Sequence, residues 1–203
     1  MHFLDLFQTL QQWDQDLFNL INNRLDNPFF DAFMPVLRIS YIWAPFYLFI
    51  LVFVSVNYKK KGFWWIILFL CTVALADMVG TNVFKHNLHR IRPCNTSGIF
   101  PHLRLLVICP SGYGFTSNHA ANHFGMATFI FLTFRHVFKK WIWLIFLWAG
   151  AICYAQVYVG VHYPGDILGG ALLGILFASL TSYIFNHYVG KLSFETHSQH
   201  RKL

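Results

Sequence analysis

Charged residues are scarce in this chain. Only 11% of its 203 residues are Asp, Glu, Lys or Arg, whereas 56% are hydrophobic and 19% are aromatic. Soluble domains carry about 25% charged residues to cover their surface. The composition therefore excludes an ordinary soluble domain and predicts one membrane-embedded domain over residues 1–203.

Acidic residues are rarer still, with eight in the chain and none between Asp77 and Asp166. The formal net charge is +7, which is typical of proteins that bind nucleic acid, anionic headgroups or an anionic substrate. Nucleic acid does not fit a protein whose surface lies mostly in lipid. We expect membrane lipids and an anionic substrate as partners, and no nucleic acid.

Cysteine is also uncommon, with four residues. Cys94 and Cys109 fall in one predicted outer loop, 85–118, whereas Cys71 and Cys153 fall inside apolar segments. In an oxidising compartment the two loop cysteines would form a disulfide, and in a reducing one they would stay free thiols. We favour the disulfide.

Long apolar stretches dominate the rest of the sequence. Crossing about 30 Å of hydrocarbon takes roughly 20 helical residues, and five stretches qualify, near residues 38–57, 63–84, 119–137, 141–158 and 165–186. The predicted fold class is all-α: a polytopic membrane bundle of about five transmembrane helices plus an N-terminal amphipathic helix. A polar tail occupies residues 192–203.

The N-terminal segment, 1–26, is the predicted amphipathic helix. Its apolar residues recur at helical spacing and are Leu6, Leu10, Trp13, Leu17 and Ile21. Such a helix either lies in the membrane interface or packs its apolar stripe on the protein's own core. The sequence leaves both arrangements open.

Three short polar clusters interrupt the apolar sequence. They are the segments 85–93, 116–119 and 160–166, each at or near the end of an apolar stretch. Together they hold cations, a hydroxyl, histidines and a carboxylate. Phosphate ester cleavage needs positive charge on the phosphate oxygens, a nucleophile and an acid for the leaving group. The clusters therefore predict an enzyme that acts on a phosphate.

The third cluster contains the candidate nucleophile. His162 and Asp166 stand four residues apart, so a helical turn beginning at Pro164 would bring the carboxylate to the imidazole. A carboxylate that orients the ring and stabilises its developing positive charge lets a histidine attack phosphorus. His119, in the second cluster, is then the candidate general acid.

The other polar residues are candidates for binding the phosphate. Lys85 and Arg92 supply positive charge, and arginine can contact two phosphate oxygens at once. Ser117 and the backbone N–H groups near Asn118 stand where a helix is predicted to begin, which favours an anion.

Basic residues outside the clusters indicate the orientation. If the spans alternate, one side holds nine Lys and Arg residues, namely Lys59, Lys60, Lys61, Arg135, Lys139, Lys140, Lys191, Arg201 and Lys202. The positive-inside rule makes that side cytoplasmic. We therefore expect a multi-pass protein of the cytoplasmic (inner) membrane whose polar clusters face the periplasm or exterior.

The clusters match the motifs of a known family. The motif Lys-x6-Arg-Pro is matched by Lys85, Arg92 and Pro93, Pro-Ser-Gly-His in part by Thr116-Ser117-Asn118-His119, and Ser-Arg-x5-His-x3-Asp by His162 and Asp166. The sequence resembles the type 2 phosphatidic acid phosphatase family, which is related to the vanadium haloperoxidases. The resemblance implies a metal-independent phosphatase with no cofactor and a phosphohistidine intermediate on His162.

Two departures from these motifs matter. Gln156 stands where the third motif has arginine. It can donate a hydrogen bond to phosphate but carries no charge, and losing a charged contact costs about 1.5–3 kcal/mol. Arg90 and Arg104 are the candidates to replace it. The segment 110–113 keeps Pro-Ser-Gly but lacks the histidine, so we assign the second motif to 116–119.

Two other features invite a functional interpretation. His119 and His123, and His86 and His89, have spacings found in metal sites, but no nearby acidic residue completes a hydrolytic one. We expect no metal.

Asp77 lies inside a predicted span, where burying a carboxylate in the membrane costs free energy. We expect it to pair with a polar group, in a structural role or in support of the site.

The sequence thus predicts a lipid phosphatase. Chain size and predicted side favour undecaprenyl (polyprenyl) diphosphate as the substrate, with phosphatidylglycerophosphate, phosphatidate and lipid A as alternatives. A lipid phosphotransferase, which passes the phosphate to an acceptor other than water, is a second possibility. A non-catalytic anionic-lipid binding or transport protein is a third.

Overall fold

Helices make up all regular secondary structure in the described part of the chain. A computed structural model describes residues 2–96 and 102–193, and the prediction of an all-α membrane bundle is confirmed there. The α-helices are α1 His2–Asn19, α2 Pro28–Leu37, α3 Ala44–Val79, α4 His86–Leu88, α5 Asn118–Phe138, α6 Leu144–Tyr158 and α7 Pro164–Ile184. The predicted polar tail lies outside the described residues from residue 194 onward.

Short turns of 3₁₀ or π helix extend or connect these helices. The π turns are Leu20–Arg24, Gly80–Lys85 and Phe185–Val189, and the 3₁₀ turns are Ser40–Trp43, Pro93–Asn95 and Lys139–Trp143. Three runs of these helices and turns are long and apolar enough to cross a membrane: Ser40–Asn95, Asn118–Tyr158 and Pro164–Val189. The predicted count of about five spans is not confirmed.

The first two membrane segments each contain a non-helical residue. Lys59 has φ 46° inside α3, and Lys139 has φ 50° just after α5. In the first half of α3, Tyr47 lies beside His123 and Tyr58 beside Phe134 of α5. In the second half, Trp65 lies beside Thr133 and Asp77 beside Asn118. The halves of α3 therefore run in opposite directions along α5, because the chain reverses at Lys59.

Small residues let α5 and α7 approach closely. A Cβ atom built on Gly174 would lie 2.1 Å from the carbonyl oxygen of Ala121, and one on Gly170 would lie 2.4 Å from that of Ser117. Helices in membranes use glycine in this way to bring their backbones together. Since α5 and α7 both begin at the polar clusters, this packing fixes the distance between the second and third clusters.

We expect Gly174→Ala to lower the free energy of unfolding by about 1–3 kcal/mol, the usual cost of overpacking. Thermal unfolding in detergent measures the effect. Gly150→Ala is the matched control, because a Cβ there has no heavy atom within 4 Å and alanine favours helix over glycine. Equal melting temperatures for the two variants would show that the α5–α7 contact tolerates a methyl group.

Helix α1 turns its apolar stripe outward. Leu6, Leu10, Trp13 and Leu17 are each 46–65% exposed. Phe18, on another side of the helix, is fully buried and its ring packs 5.5 Å from that of Tyr163. These four residues therefore do not pack against the protein's own core, whereas Ile21, the last residue of the predicted stripe, does. A location of α1 in the membrane interface stays a prediction.

The turn at Lys59 and the disulfide lie at opposite ends of the bundle. Lys61 donates a hydrogen bond to the carbonyl of Lys191 (3.4 Å) at the end where α3 reverses. The opposite end carries the disulfide between Cys94 and Cys109, whose Cα atoms lie 5.9 Å apart. The disulfide prediction is confirmed. It ties together the loop 85–118, of which residues 97–101 lie outside the described part.

Candidate active site

The third polar cluster forms a buried histidine–carboxylate pair at the start of α7. Asp166 Oδ2 lies 3.3 Å from His162 Nδ1 and accepts a hydrogen bond from the backbone N–H of Tyr163 (3.0 Å). His162 is 3% exposed and Asp166 is fully buried. With Nδ1 directed at a carboxylate, the ring carries its proton there and presents the Nε2 lone pair to the site.

Burial dominates the acid–base behaviour of His162. Removal from water lowers the pKa of His162 to about 4, although the hydrogen bond that its ring donates to Asp166 acts in the opposite direction. The charges of Arg92 and Lys85 lower this pKa further. The imidazole is consequently neutral at pH 7, which is the form that can act as a nucleophile.

A second carboxylate joins this pair through Arg90. Arg90 donates to Asp166 Oδ1 (2.7 Å) and also to the carboxylate of Asp14 on α1. Asp14 in turn accepts a hydrogen bond from the backbone N–H of Gly165 (2.6 Å). The N-terminal helix thus contributes directly to holding Asp166 in place. No local sequence pattern could have identified Asp14, because its partners lie 76 and 151 residues away.

The first cluster brings positive charge to His162. Arg92 is 5% exposed, and its Nη1 lies 2.8 Å from His162 Nε2. Arg92 also donates to the carbonyls of Val161 (3.2 Å) and Gly112 (3.3 Å), which hold the guanidinium in place. Lys85 lies close enough to Arg92 and Asp166 to interact with both charges.

The second cluster caps α5 beside the pair. Ser117 is the N-cap, with its side chain accepting from the N–H of Ala120 (3.5 Å) and its own N–H donating to the carbonyl of Asp166 (3.0 Å). The side chain of Asn118 instead donates to Asp77 (2.8 Å) and Thr81 (2.9 Å). Asp77 therefore has polar partners, as expected, and Asn118 has only its backbone N–H to offer to an anion.

The structure brings His119 and His162 to the same site. The His119 ring lies within electrostatic range of both His162 and Arg38. The next histidine on α5 is engaged elsewhere: His123 Nε2 contacts the Tyr47 hydroxyl (3.1 Å) and its Nδ1 contacts the His119 carbonyl (2.7 Å).

Within residues 2–96 and 102–193, no group of three or more His, Cys, Asp or Glu side chains is arranged to hold a metal ion.

The arginine beside Gln156 is not one of those that the sequence suggested. Arg90 is bound to two carboxylates, and Arg104 pairs with Asp31 (2.5 Å). Those two candidates are wrong, because acidic partners already occupy them. Arg38, at the end of α2, donates from Nε to Gln156 Oε1 (3.1 Å) instead.

These features define a class of protein: an α-helical membrane protein with a buried histidine, a supporting carboxylate and several cations gathered at one end. The family model of the PAP2 superfamily matches residues 64–189. The chain belongs to the PAP2 superfamily and is a multi-pass membrane lipid phosphatase.

Individual relatives cover most of the chain. A lipid A 4'-phosphatase from Bacteroides thetaiotaomicron is 33% identical over 181 residues, covering 87% of this chain and 79% of the relative. An undecaprenyl-diphosphatase from Sulfolobus acidocaldarius is 32% identical over 66% of this chain and 59% of its own length. The crystal structure of Aquifex aeolicus LpxE has a TM-score of 0.62 at 27% identity and covers 82% of this chain and 93% of that one.

Proposed function

We propose that the protein removes the 4'-phosphate of a lipid A-type substrate by way of a phosphohistidine. The chemistry is carried by one observation: a buried, carboxylate-bound His162 whose Nε2 lies 2.8 Å from a guanidinium. The choice of lipid A is supported by the 33% identical lipid A 4'-phosphatase, whose match covers 87% of this chain.

In the proposed first step, His162 Nε2 attacks phosphorus and the bond from phosphorus to the leaving oxygen breaks. His119 donates a proton to that oxygen, so that the lipid leaves as an alcohol. Asp166 stabilises the positive charge that develops on the His162 ring. In the second step water attacks phosphorus, His119 takes its proton, and the bond to Nε2 breaks to release inorganic phosphate.

The binding residues neutralise the charge of the phosphate oxygens. Lys85 and Arg92 supply positive charge, which stabilises the transition state more strongly in a buried site than in water. Ser117 and the N–H groups of Asn118 and His119, at the start of α5, complete the anion site. Gln156 adds an uncharged hydrogen-bond donor to the phosphate oxygens.

An apolar cavity beside the site suits the acyl chains of a lipid. It has a volume of about 360 Å³ and is lined by side chains that include Trp43, Phe46, Ile130 and Trp148. The ring of Trp148 lies 5.0 Å from that of His123. A lipid whose chains occupy this cavity would have its headgroup near the histidines.

The end of the bundle that carries the site faces the periplasm in this proposal. The opposite end carries Lys61 and Lys191, in keeping with the positive-inside rule. The disulfide between Cys94 and Cys109 lies at the site end, and disulfides persist in oxidising compartments. We place the protein in the inner membrane on these grounds.

Undecaprenyl diphosphate, the substrate that the sequence favoured, is the second candidate. It is supported by the undecaprenyl-diphosphatase from Sulfolobus acidocaldarius, whose 32% identical match covers a smaller share of this chain, 66%. Both substrates present a phosphate at the membrane surface, so the same site chemistry serves either one. The headgroup therefore has to be determined by experiment.

Phosphate release by the purified full chain in detergent tests the substrate. We expect the highest kcat/KM with lipid A that carries a 4'-phosphate, and lower values with undecaprenyl diphosphate, phosphatidylglycerophosphate and phosphatidate. Mass spectrometry of the lipid product identifies which phosphate is lost. Presenting the same substrates to intact and permeabilised spheroplasts tests the side of the membrane, since a periplasmic site needs no permeabilisation.

Three results would contradict these proposals. A preference for undecaprenyl diphosphate would replace the substrate. Transfer of labelled phosphate to a second lipid, without free phosphate, would indicate a phosphotransferase. Binding without turnover on any substrate would indicate a non-catalytic lipid-binding protein.

A further inference from the structure

Arg38 enters the site from outside the three polar clusters. It follows α2 directly, and its Nε donates a hydrogen bond to Oε1 of the fully buried Gln156 (3.1 Å). This bond directs the guanidinium toward Gln156. Among the described residues, no hydrogen bond or ion pair involves either Nη group of Arg38. Both Nη groups are therefore available to donate hydrogen bonds to a ligand.

Gln156 has an unused donor of its own. Because its Oε1 accepts from Arg38, its amide nitrogen points the other way, and within the described residues this buried Nε2 has no hydrogen-bond partner. Buried donors are nearly always paired in proteins, with protein groups, water or a ligand. An acceptor that reaches Nε2 of Gln156 would also be placed near the guanidinium of Arg38.

The charges around Arg38 indicate what kind of acceptor fits. Burial and, after it, the nearby charge of Arg92 lower the pKa of Arg38. Arg90 and Arg104 are each neutralised by carboxylates, but no described carboxylate pairs with Arg38 or Arg92. Two close guanidinium groups without an acidic partner favour a ligand with several negative oxygens.

We propose that Arg38 and Gln156 bind the phosphoryl oxygens of the substrate, Arg38 through its Nη groups and Gln156 through Nε2. The charge that is missing at position 156 is thereby supplied by the connection between α2 and α3. Gln156 would position Arg38 through Oε1 and contact the phosphate through its nitrogen. This assignment rests on the proposed function of the site as a phosphate site, and it adds a substrate-binding residue that the motifs do not contain.

Orthovanadate, a tetrahedral analogue of phosphate, is the probe that tests this proposal without a lipid. We expect Arg38→Gln to weaken vanadate binding to the purified full chain by about 10- to 150-fold, the range for one charged hydrogen-bonding group. Vanadate-induced thermal stabilisation in detergent measures the affinity. Arg24→Gln is the control, since Arg24 is an exposed arginine outside the site, and its affinity for vanadate should equal that of the wild type.

Exchanging Arg38 and Gln156 distinguishes the loss of a positive charge at the site from a loss of structure. The double variant Arg38→Gln/Gln156→Arg keeps the composition and returns the guanidinium to the site from α6. We expect it to recover vanadate affinity to within about tenfold of the wild type, because one charged contact is restored. If Arg38→Gln does not fold, vanadate affinity is measured for the double variant and for Arg38→Lys. We expect Arg38→Lys to bind vanadate more weakly than the wild type, because lysine lacks the planar guanidinium that contacts two oxygens at once.

Two outcomes would overturn the assignment. One is unchanged vanadate affinity in folded Arg38→Gln. The other is a folded double variant that binds vanadate no better than folded Arg38→Gln. If Arg38→Gln does not fold, the double variant is compared with Arg38→Lys instead, and equal or weaker vanadate binding by the double variant would overturn the assignment. Failure of the proposed function looks different: the wild type would bind vanadate through Arg38 but release no phosphate from any lipid.

Discussion

Replacing His162 with alanine is expected to lower kcat/KM for phosphate release by roughly 10³- to 10⁶-fold, the scale on which enzymes lose activity with their nucleophile. The effect is large because no other described side chain offers a lone pair beside Arg92 and Asp166. The fold should survive, because Asp166 keeps its bonds to Arg90 and to the N–H of Tyr163. Phosphate release and thermal unfolding in detergent measure the two effects.

Trapping the intermediate makes the His162 prediction specific. Wild-type protein quenched during turnover of labelled substrate should carry an acid-labile phosphate, and His162→Ala should carry none. His187→Ala is the control, since His187 is an exposed histidine on the π turn at the end of α7. Normal turnover by His162→Ala would exclude this residue as the nucleophile.

The pKa of His162 adds a pH signature. Burial lowers this pKa to about 4, so the neutral, nucleophilic form is retained as the pH falls from 7 and is lost only near pH 4. An NMR titration of the labelled imidazole in the free protein should therefore have its midpoint well below the ordinary value of about 6.5. A midpoint at or above 6.5 would contradict the burial described for this ring.

The second large effect is expected for His119→Ala. General acid catalysis contributes about 10²- to 10⁴-fold, and we expect a loss of that size with a lipid substrate, whose alkoxide is a poor leaving group. The defect should shrink strongly with an aryl phosphate such as p-nitrophenyl phosphate, because a phenolate leaves without protonation. Comparing kcat/KM for the two substrates in the same variant measures the difference.

This leaving-group comparison distinguishes a general acid from a residue that only shapes the site. His86→Ala serves as the control, since His86 is an exposed histidine in the first polar cluster. It should leave both substrates unaffected. An equal loss with both substrates in His119→Ala would assign His119 to binding or packing and remove it from proton transfer.

The parts of the site that depend on local spacing could be predicted from the sequence. His162 and Asp166 are four residues apart, so one helical turn sufficed to pair them. Ser117 could be recognised because a small hydroxyl residue before an apolar run is a typical N-cap. In both cases, residues close together in the chain determine the geometry.

The contacts that the sequence did not reveal join residues far apart in the chain. Arg38 and Gln156 are separated by 118 residues, and Asp14 and Arg90 by 76. Periodicity and motif spacing carry no information on such pairs, because they depend on how whole helices pack. This is why the sequence offered Arg90 and Arg104 as candidates to replace the missing arginine, although ion pairs already engage both.

The course of the chain through α3 follows from the local sequence. The apolar stretches near 38–57 and 63–84 lie on either side of Lys59, the residue outside the helical conformation at which the chain reverses. The direction of the stripe on α1 could not be predicted in this way: the pattern predicted an apolar stripe, whereas its outward direction follows from Asp14 and Phe18 docking against the start of α7.

The backbone-to-backbone contact at Gly170 and Gly174 has a consequence for redesign. It holds the starts of α5 and α7, and with them His119 and His162, at one spacing. An engineer who seeks a new lipid preference can vary the aromatic lining next to Trp148, while Arg90, Arg92 and Ser117, which lie between α4 and α5, are kept. Libraries that spare the two glycines should yield far more active clones than libraries that include them.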